Sequence, residues 1–256
     1  MPASTAQPET TDPADAISWE SCGDGLECGY LDVPIDYTDE NSATTSLYLT
    51  KHMATSSSQR IGTLLVNPGG PGFGGSFLAE SAANIYSPTL LKSFDIVAWD
   101  PRGVGGSDPA IDCVDTMDDY FGLDPSPDND GELKSLVEGA KSFADSCAVR
   151  SGDILSHVGT IDAARDMDVL RRALGEEQIS FAGFSYGTKL GATWATLFPS
   201  SVRAAVFDGT IDPILGYVDD LILQAGGFED SLNAFFAKCD ASRCSFMKVG
   251  ESAEDA

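Results

Sequence analysis

Histidine is nearly missing from this chain of 256 residues: there are two, His52 and His157. No Cys-x-x-Cys pair occurs either, so a zinc site is not expected. Long apolar runs are absent too. None approaches the roughly 18 residues of a membrane span, so no membrane span is expected. Lysine and arginine are scarce, 15 against 40 aspartates and glutamates, for a net charge of −25. Such a surface repels nucleic acid and anionic lipid, so neither is expected as a partner. The opening residues, Met1 to Glu9, lack the basic and apolar regions of a secretion signal.

What is present is ordinary for a folded protein. Hydrophobic residues make up 42% and aromatics 9%, enough for one large α/β domain with a substantial core. Residues 1–17, rich in Pro, Ala, Ser, Thr and acids, read as a disordered leader. A core is expected over 18–215 and an amphipathic helical segment, the start of a lid, over 216–256. The six cysteines are Cys22, Cys28, Cys113, Cys147, Cys239 and Cys244. Six allow 15 pairings; the simplest is local, 22 with 28 and 239 with 244, leaving 113 with 147. Disulfides imply an oxidising compartment and a secreted or cell-surface protein. Either a signal has been removed from the sequence, or the cysteines are buried thiols of a cytosolic protein.

Six strands are expected: Gly29–Ile35, Ser46–His52, Ile61–Val66, Phe94–Trp99, Ile179–Phe184 and Val202–Phe207. A crossover helix is expected over Ser76–Lys92, ended or bent by Pro88. Others are expected over Glu132–Ala148 and over Thr160–Leu174, the latter with Thr160 as N-cap and Gly175 as stop. Largely apolar strands alternating with helices indicate a mostly parallel sheet covered on both faces.

The most informative stretch is Gly183-Phe184-Ser185-Tyr186-Gly187, between the strand ending at Phe184 and a helical pattern over Thr188–Phe198. Strand, G-x-S-x-G and helix in that order are the context of a nucleophile elbow, a sharp turn that lifts a serine hydroxyl clear of the sheet. The bland alternative is a Gly/Ser loop. A second glycine-rich run, Asn67-Pro-Gly-Gly-Pro-Gly-Phe-Gly-Gly75, follows the third strand. It is not a phosphate loop of the G-x-x-x-x-G-K-[ST] form, because no lysine follows. Gly70, Gly72 and Gly75 do spell G-x-G-x-x-G, with Asp95 about twenty residues on. Against dinucleotide binding, Pro71 removes an N–H from that loop and Asp95 falls inside the next strand. The run sits where the second N–H of an oxyanion hole belongs. Asp100-Pro-Arg-Gly-Val-Gly-Gly-Ser107, after the fourth strand, reads as scaffold, with Arg102 paired to a carboxylate. Asp128-Asn-Asp-Gly131 invites a calcium reading, but an EF-hand frame from Ser126 to Val137 lacks its first and last carboxylates, so a solvated acidic loop is the better account.

Together, Asn67–Gly72, Asp100–Ser107 and Gly183–Thr188 resemble the α/β-hydrolase serine peptidases of the secreted tripeptidyl aminopeptidase and proline iminopeptidase type. The Val33–Tyr37 strand, the Asp208–Pro213 turn and the cysteine placement look similar to that branch, and the likeness covers about residues 18–245. The resemblance implies an α/β-hydrolase fold truncated after about strand six, and a serine exopeptidase removing short peptides from free N-termini without metal or cofactor. It implies Ser185 as nucleophile, with the N–H groups of Gly70 and Tyr186 as oxyanion donors. The substrate is then a peptide or another small acyl compound. The departure lies in the base: a triad of this fold runs Ser, Asp or Glu, then His, and no histidine follows Ser185. The expectation is a fragment inactive by itself, its Asp and His beyond residue 256. The alternatives are an esterase or other acyl hydrolase on the same scaffold, and a binding module that lost its triad.

Overall fold

The computed structural model describes residues 17–256 apart from residues 213 and 249 and the side chain at 217. The leader expected over 1–17 lies outside the described residues except for Ile17, which is buried in the core. The chain divides into two compact units between Thr210 and Ile211.

The first unit is a seven-stranded sheet: β1 (Glu20–Gly23), β2 (Leu26–Pro34), β3 (Thr44–His52), β4 (Gly62–Asn67), β5 (Phe94–Trp99), β6 (Ile179–Phe184) and β7 (Val202–Asp208). Their spatial order is β1-β2-β3-β5-β4-β6-β7. β1, β2 and β3 form an antiparallel meander, β3 runs antiparallel to β5, and β5, β4, β6 and β7 are mutually parallel. All six residues of β4 are buried, as a central strand covered on both faces requires. Side-chain alternation splits the core in two. Leu65, Val97 and Phe181 pack with helix α6 (Thr160–Ala173) and helix α7 (Tyr186–Leu197). Leu64, Val66, Ile96 and Ala98 face the three short helices of the β4–β5 crossover. β7 ends the sheet, and most of its residues are exposed.

Several local expectations change. β1 is an additional strand of four exposed residues, too short to show a period; the Cys22–Cys28 disulfide ties it to β2. The crossover is three helices instead of one: α1 (Phe77–Glu80), α2 (Ala82–Ile85) and α3 (Pro88–Ser93). Pro88 begins α3, at the break where it was expected to end or bend a single helix. At the first helical position a missing N–H costs nothing, and Ser87 Oγ accepts the Leu90 N–H at 3.4 Å. Thr160 is the first residue of α6, and Gly159 takes the cap position. The Thr160 hydroxyl instead meets Tyr186 Oη at 2.8 Å, joining α6 to α7. Helix α4 (Asp118–Phe121) precedes the exposed helix α5 (Asp130–Ser151), which Cys113–Cys147 tethers. The segment weighed for calcium is the start of α5, where Asn129 Oδ1 accepts the N–H groups of Gly131 and Glu132 at 3.0 and 3.1 Å.

Arg102 binds these parts together. Its Nε and Nη2 donate to the two carboxylate oxygens of Asp166 at 2.7 and 2.5 Å. Nη1 donates to the carbonyls of Ile35 and His157, at 2.8 and 2.9 Å, and Nη2 also to that of Pro34 at 3.0 Å. All five guanidinium N–H groups are therefore used. Both side chains are 1% exposed. Burial pushes the Asp166 carboxyl above its ordinary range, against the two Arg102 bonds and the Tyr37 hydroxyl, 2.7 Å away, which favour the charged form.

In the second unit, helix α8 (Tyr217–Ser242) is closed at its C-terminal end by Cys239–Cys244. Phe235 stacks on Phe246, and Asp240 Oδ1 accepts the Ala253 N–H at 2.7 Å. Ile222, Leu223 and Phe228 on this helix are each about two-thirds exposed. Among the described residues no helix is long and apolar enough to cross a membrane.

Breaking a buried ion pair leaves the surviving charge unpaired, at a cost of about 3–5 kcal/mol. Arg102→Met is expected to destabilise the chain by that amount in urea unfolding. Arg102→Met with Asp166→Leu should cost less than the sum of the single changes. Additive losses would mean that the two residues are not coupled.

Candidate active site

The chain leaves β4 for β5 on one side and later returns to β6 on the other. Loops from the carboxyl ends of β4 and β6 therefore diverge, and a crevice opens between them, the usual ligand position in an open α/β sheet. Three segments meet there: residues 68–76 after β4, residues 100–107 after β5, and Ser185 at the junction of β6 and α7.

Ser185 has φ 51° and ψ −124°. It and Arg243 are the two described non-glycine residues with positive φ. A side chain in this region is strained by contact with its own backbone, at about 1–3 kcal/mol, and persists only where surrounding structure imposes it. The constraint is visible on every side. The Ser185 N–H donates to Asp208 O at 2.9 Å, tying the turn to the end of β7. Its carbonyl accepts both the N–H and the Oγ1–H of Thr188, at 2.9 and 2.7 Å. The flanking glycines are required by contact: a Cβ on Gly183 would lie 2.4 Å from Gly187 O, and one on Gly187 2.8 Å from Asn67 O. Ser185 itself is exposed.

The loop after β4 abuts this turn. A Cβ on Gly69 (φ +101°) would lie 2.5 Å from Phe184 O and 3.0 Å from both Ser185 Cβ and Tyr186 N. The Gly69 N–H is taken by Asn67 Oδ1 at 3.0 Å. Gly70, the next residue, is exposed, and its N–H has no hydrogen-bond partner among the described residues. Tyr186 turns its phenol away to Thr160, and burial pushes that phenol above its ordinary range. Asn67, legible in the sequence only as the first residue of the glycine run, is buried and holds the start of this loop. Its place at the end of an apolar strand, just before Pro-Gly-Gly, was the available signal.

Among the described residues no hydrogen bond links either histidine to Ser185. His52 pairs with Ile96, which pairs with Leu64, which pairs with Ser180. It therefore lies three strand spacings away, about 14 Å across the sheet, and five residues back, about 16 Å along it. His157 contributes its carbonyl to Arg102. Among the described residues no group of three or more His, Cys, Asp or Glu side chains is arranged to hold a metal ion.

Residues 62–246 match the family model described as alpha/beta hydrolase fold. The chain belongs to that family. Among its curated relatives, serine protease Hip1 of Mycobacterium tuberculosis (strain H37Rv) is 35% identical over 246 residues, covering 91% of this chain and 46% of the relative. Tripeptidyl aminopeptidase of Streptomyces lividans is 38% identical over 209 residues, 77% and 38% of the two chains. A protein named carboxylesterase B, from Mycobacterium tuberculosis (strain CDC 1551 / Oshkosh), is 37% identical over 238 residues, 88% and 45%. The chain spans less than half the length of these relatives.

If the turn imposes strain on Ser185, relieving it should stabilise the fold. Ser185→Gly is expected to be more stable than Ser185→Ala by about 1 kcal/mol in urea unfolding. An alanine variant of equal or greater stability would contradict the strained turn.

Proposed function

We propose that this chain is the nucleophile-bearing part of a serine exopeptidase that removes short peptides from free N-termini through an acyl-enzyme on Ser185. The observation that carries the reading is the strained, exposed Ser185 pressed against the glycine loop at the switch point of the sheet. The relatives named serine protease and tripeptidyl aminopeptidase support the peptide substrate. In this scheme Ser185 Oγ bonds to the scissile carbonyl carbon while its proton passes to a base. The carbonyl oxygen, now negative, accepts the N–H groups of Tyr186 and Gly70. The base returns the proton to the leaving amine, and water releases the acyl group by the same steps in reverse order. No residue after Ser185 in these 256 is a histidine, so the base is supplied from outside them and the chain alone is inactive. Three disulfides support an oxidising, extracytoplasmic compartment.

The relative named carboxylesterase B favours a second reading, an esterase on the same scaffold. A peptide anilide with a free or an N-acetylated terminus separates the two, assayed with the product of the complete open reading frame. The exopeptidase cleaves only the free-amine form; equal rates on both remove the aminopeptidase assignment. A reading frame that stops after Ala256 would favour a binding module instead. The 256-residue chain alone is expected to turn over about 10⁴- to 10⁶-fold more slowly than a complete enzyme, the cost of losing a base. Normal turnover by it would refute the need for an external histidine.

A further inference from the structure

We propose that Asp100 is a positioning residue: its buried carboxylate holds the far end of the loop after β4, and so helps to set the position of the Gly70 N–H. The use of that N–H rests on the hydrolase reading, whereas the positioning does not.

Asp100 follows β5 and is 4% exposed. Its backbone is fixed to β3, the N–H donating to Tyr48 O at 2.9 Å. Its carbonyl accepts Ser107 Oγ at 2.6 Å, and that hydroxyl in turn accepts the Tyr48 N–H at 2.9 Å. With the backbone fixed, the carboxylate reaches one donor in each glycine loop: Oδ1 accepts the Ser76 N–H at 2.9 Å and Oδ2 the Gly106 N–H at 2.8 Å. No lysine or arginine pairs with it among the described residues. Two backbone amides therefore hold a buried charge, through bonds stronger than a neutral acceptor would make. Contact is as close as the chain permits: a Cβ on Gly74 would lie 2.6 Å from Oδ1, and one on Gly105 2.2 Å from Oδ2.

The geometry of the loop follows from its two ends. At one end Gly69 is held by Asn67 and by the Ser185 turn. At the other, Ser76 is held by Asp100, and the Gly75 N–H donates to Trp99 O at 3.1 Å. Residues 70–74 lie between, and the first four of them are exposed. Five residues pinned at both ends have little freedom, and loosening either end enlarges it. The carboxylate of Asp100, together with the Gly75–Trp99 bond, thus forms the second pin of the segment that carries Gly70.

The test uses amide NMR of the 256-residue chain and two variants. Asp100→Asn keeps the shape but turns an NH₂ toward one of the two donors. Ser76→Pro deletes one donor and leaves the carboxylate in place; the Ser76 φ of −48° is near that of proline. In both, the Gly69, Gly70 and Tyr186 amides are expected to shift or broaden and the Gly69 amide to exchange about tenfold faster, the scale of one lost hydrogen bond, while α6 amides stay unchanged. Shifts confined to Ser76, Gly106 and their immediate neighbours, with Gly69 exchange unaltered, would overturn the proposal. Should Asp100→Asn fail to fold, Ser76→Pro decides it alone. In a hydrolytically complete protein, the same variants are expected to lower kcat about ten- to a hundredfold, with KM changed less than about threefold. A kcat loss with an unmoved loop would also overturn it. A moved loop in a protein that hydrolyses nothing supports the positioning and removes the hydrolase reading instead.

Discussion

The buried fork between Arg102 and Asp166 is the interaction on which the arrangement of the first unit turns. Arg102 sits in the loop after β5, Asp166 in the middle of α6, and the remaining guanidinium bonds go to the end of β2 and to the turn before α6. Three parts of the chain distant in sequence are thereby fixed at one point. An ion pair out of water adds little net stability when both partners are present, but it penalises every arrangement that separates them. Its value here is placement. Once α6 is fixed, Thr160 meets Tyr186, and the helix that begins at the elbow is fixed in turn.

Ser185 is the beneficiary of that rigidity. A serine at φ 51° is held against its own preference by contacts on both sides: the β7 carbonyl, the Thr188 hydroxyl, and glycines packed without room for a methyl group. Each contact belongs to an element whose position is set elsewhere. The strain is therefore stored in a small turn by a large scaffold, which is how functional sites usually carry it. The net charge of −25 plays no visible part in this geometry; it acts on what approaches the protein.

The elbow and the glycine loop were legible in the sequence because their requirements are local. Glycine at 183 and 187 is demanded by atoms a few residues away or on the neighbouring strand, and the apolar runs of β4, β5 and β6 announce a buried parallel sheet. Where tertiary contact decides, the sequence was a poorer guide. β1 is defined by its partner strand and disulfide, with no pattern of its own. Ser76–Lys92 has helical composition, yet it breaks into three turns as it crosses between β4 and β5. Thr160 looks like a cap, but its hydroxyl is used by Tyr186. Asn67 and Asp100 were visible as members of motifs, whereas their tasks depend on loops that only the fold brings together.

On the proposed function, Ser185 is a nucleophile without its base. Rescue chemistry addresses it directly: the rate at which an alkyl fluorophosphonate labels the 256-residue chain, measured across an imidazole titration at neutral pH, with the labelled residue identified by peptide mapping. Slow labelling of Ser185 alone is expected, rising with imidazole and abolished in Ser185→Ala. Labelling of another residue, or fast labelling of Ser185 that imidazole does not change, would contradict the proposed function.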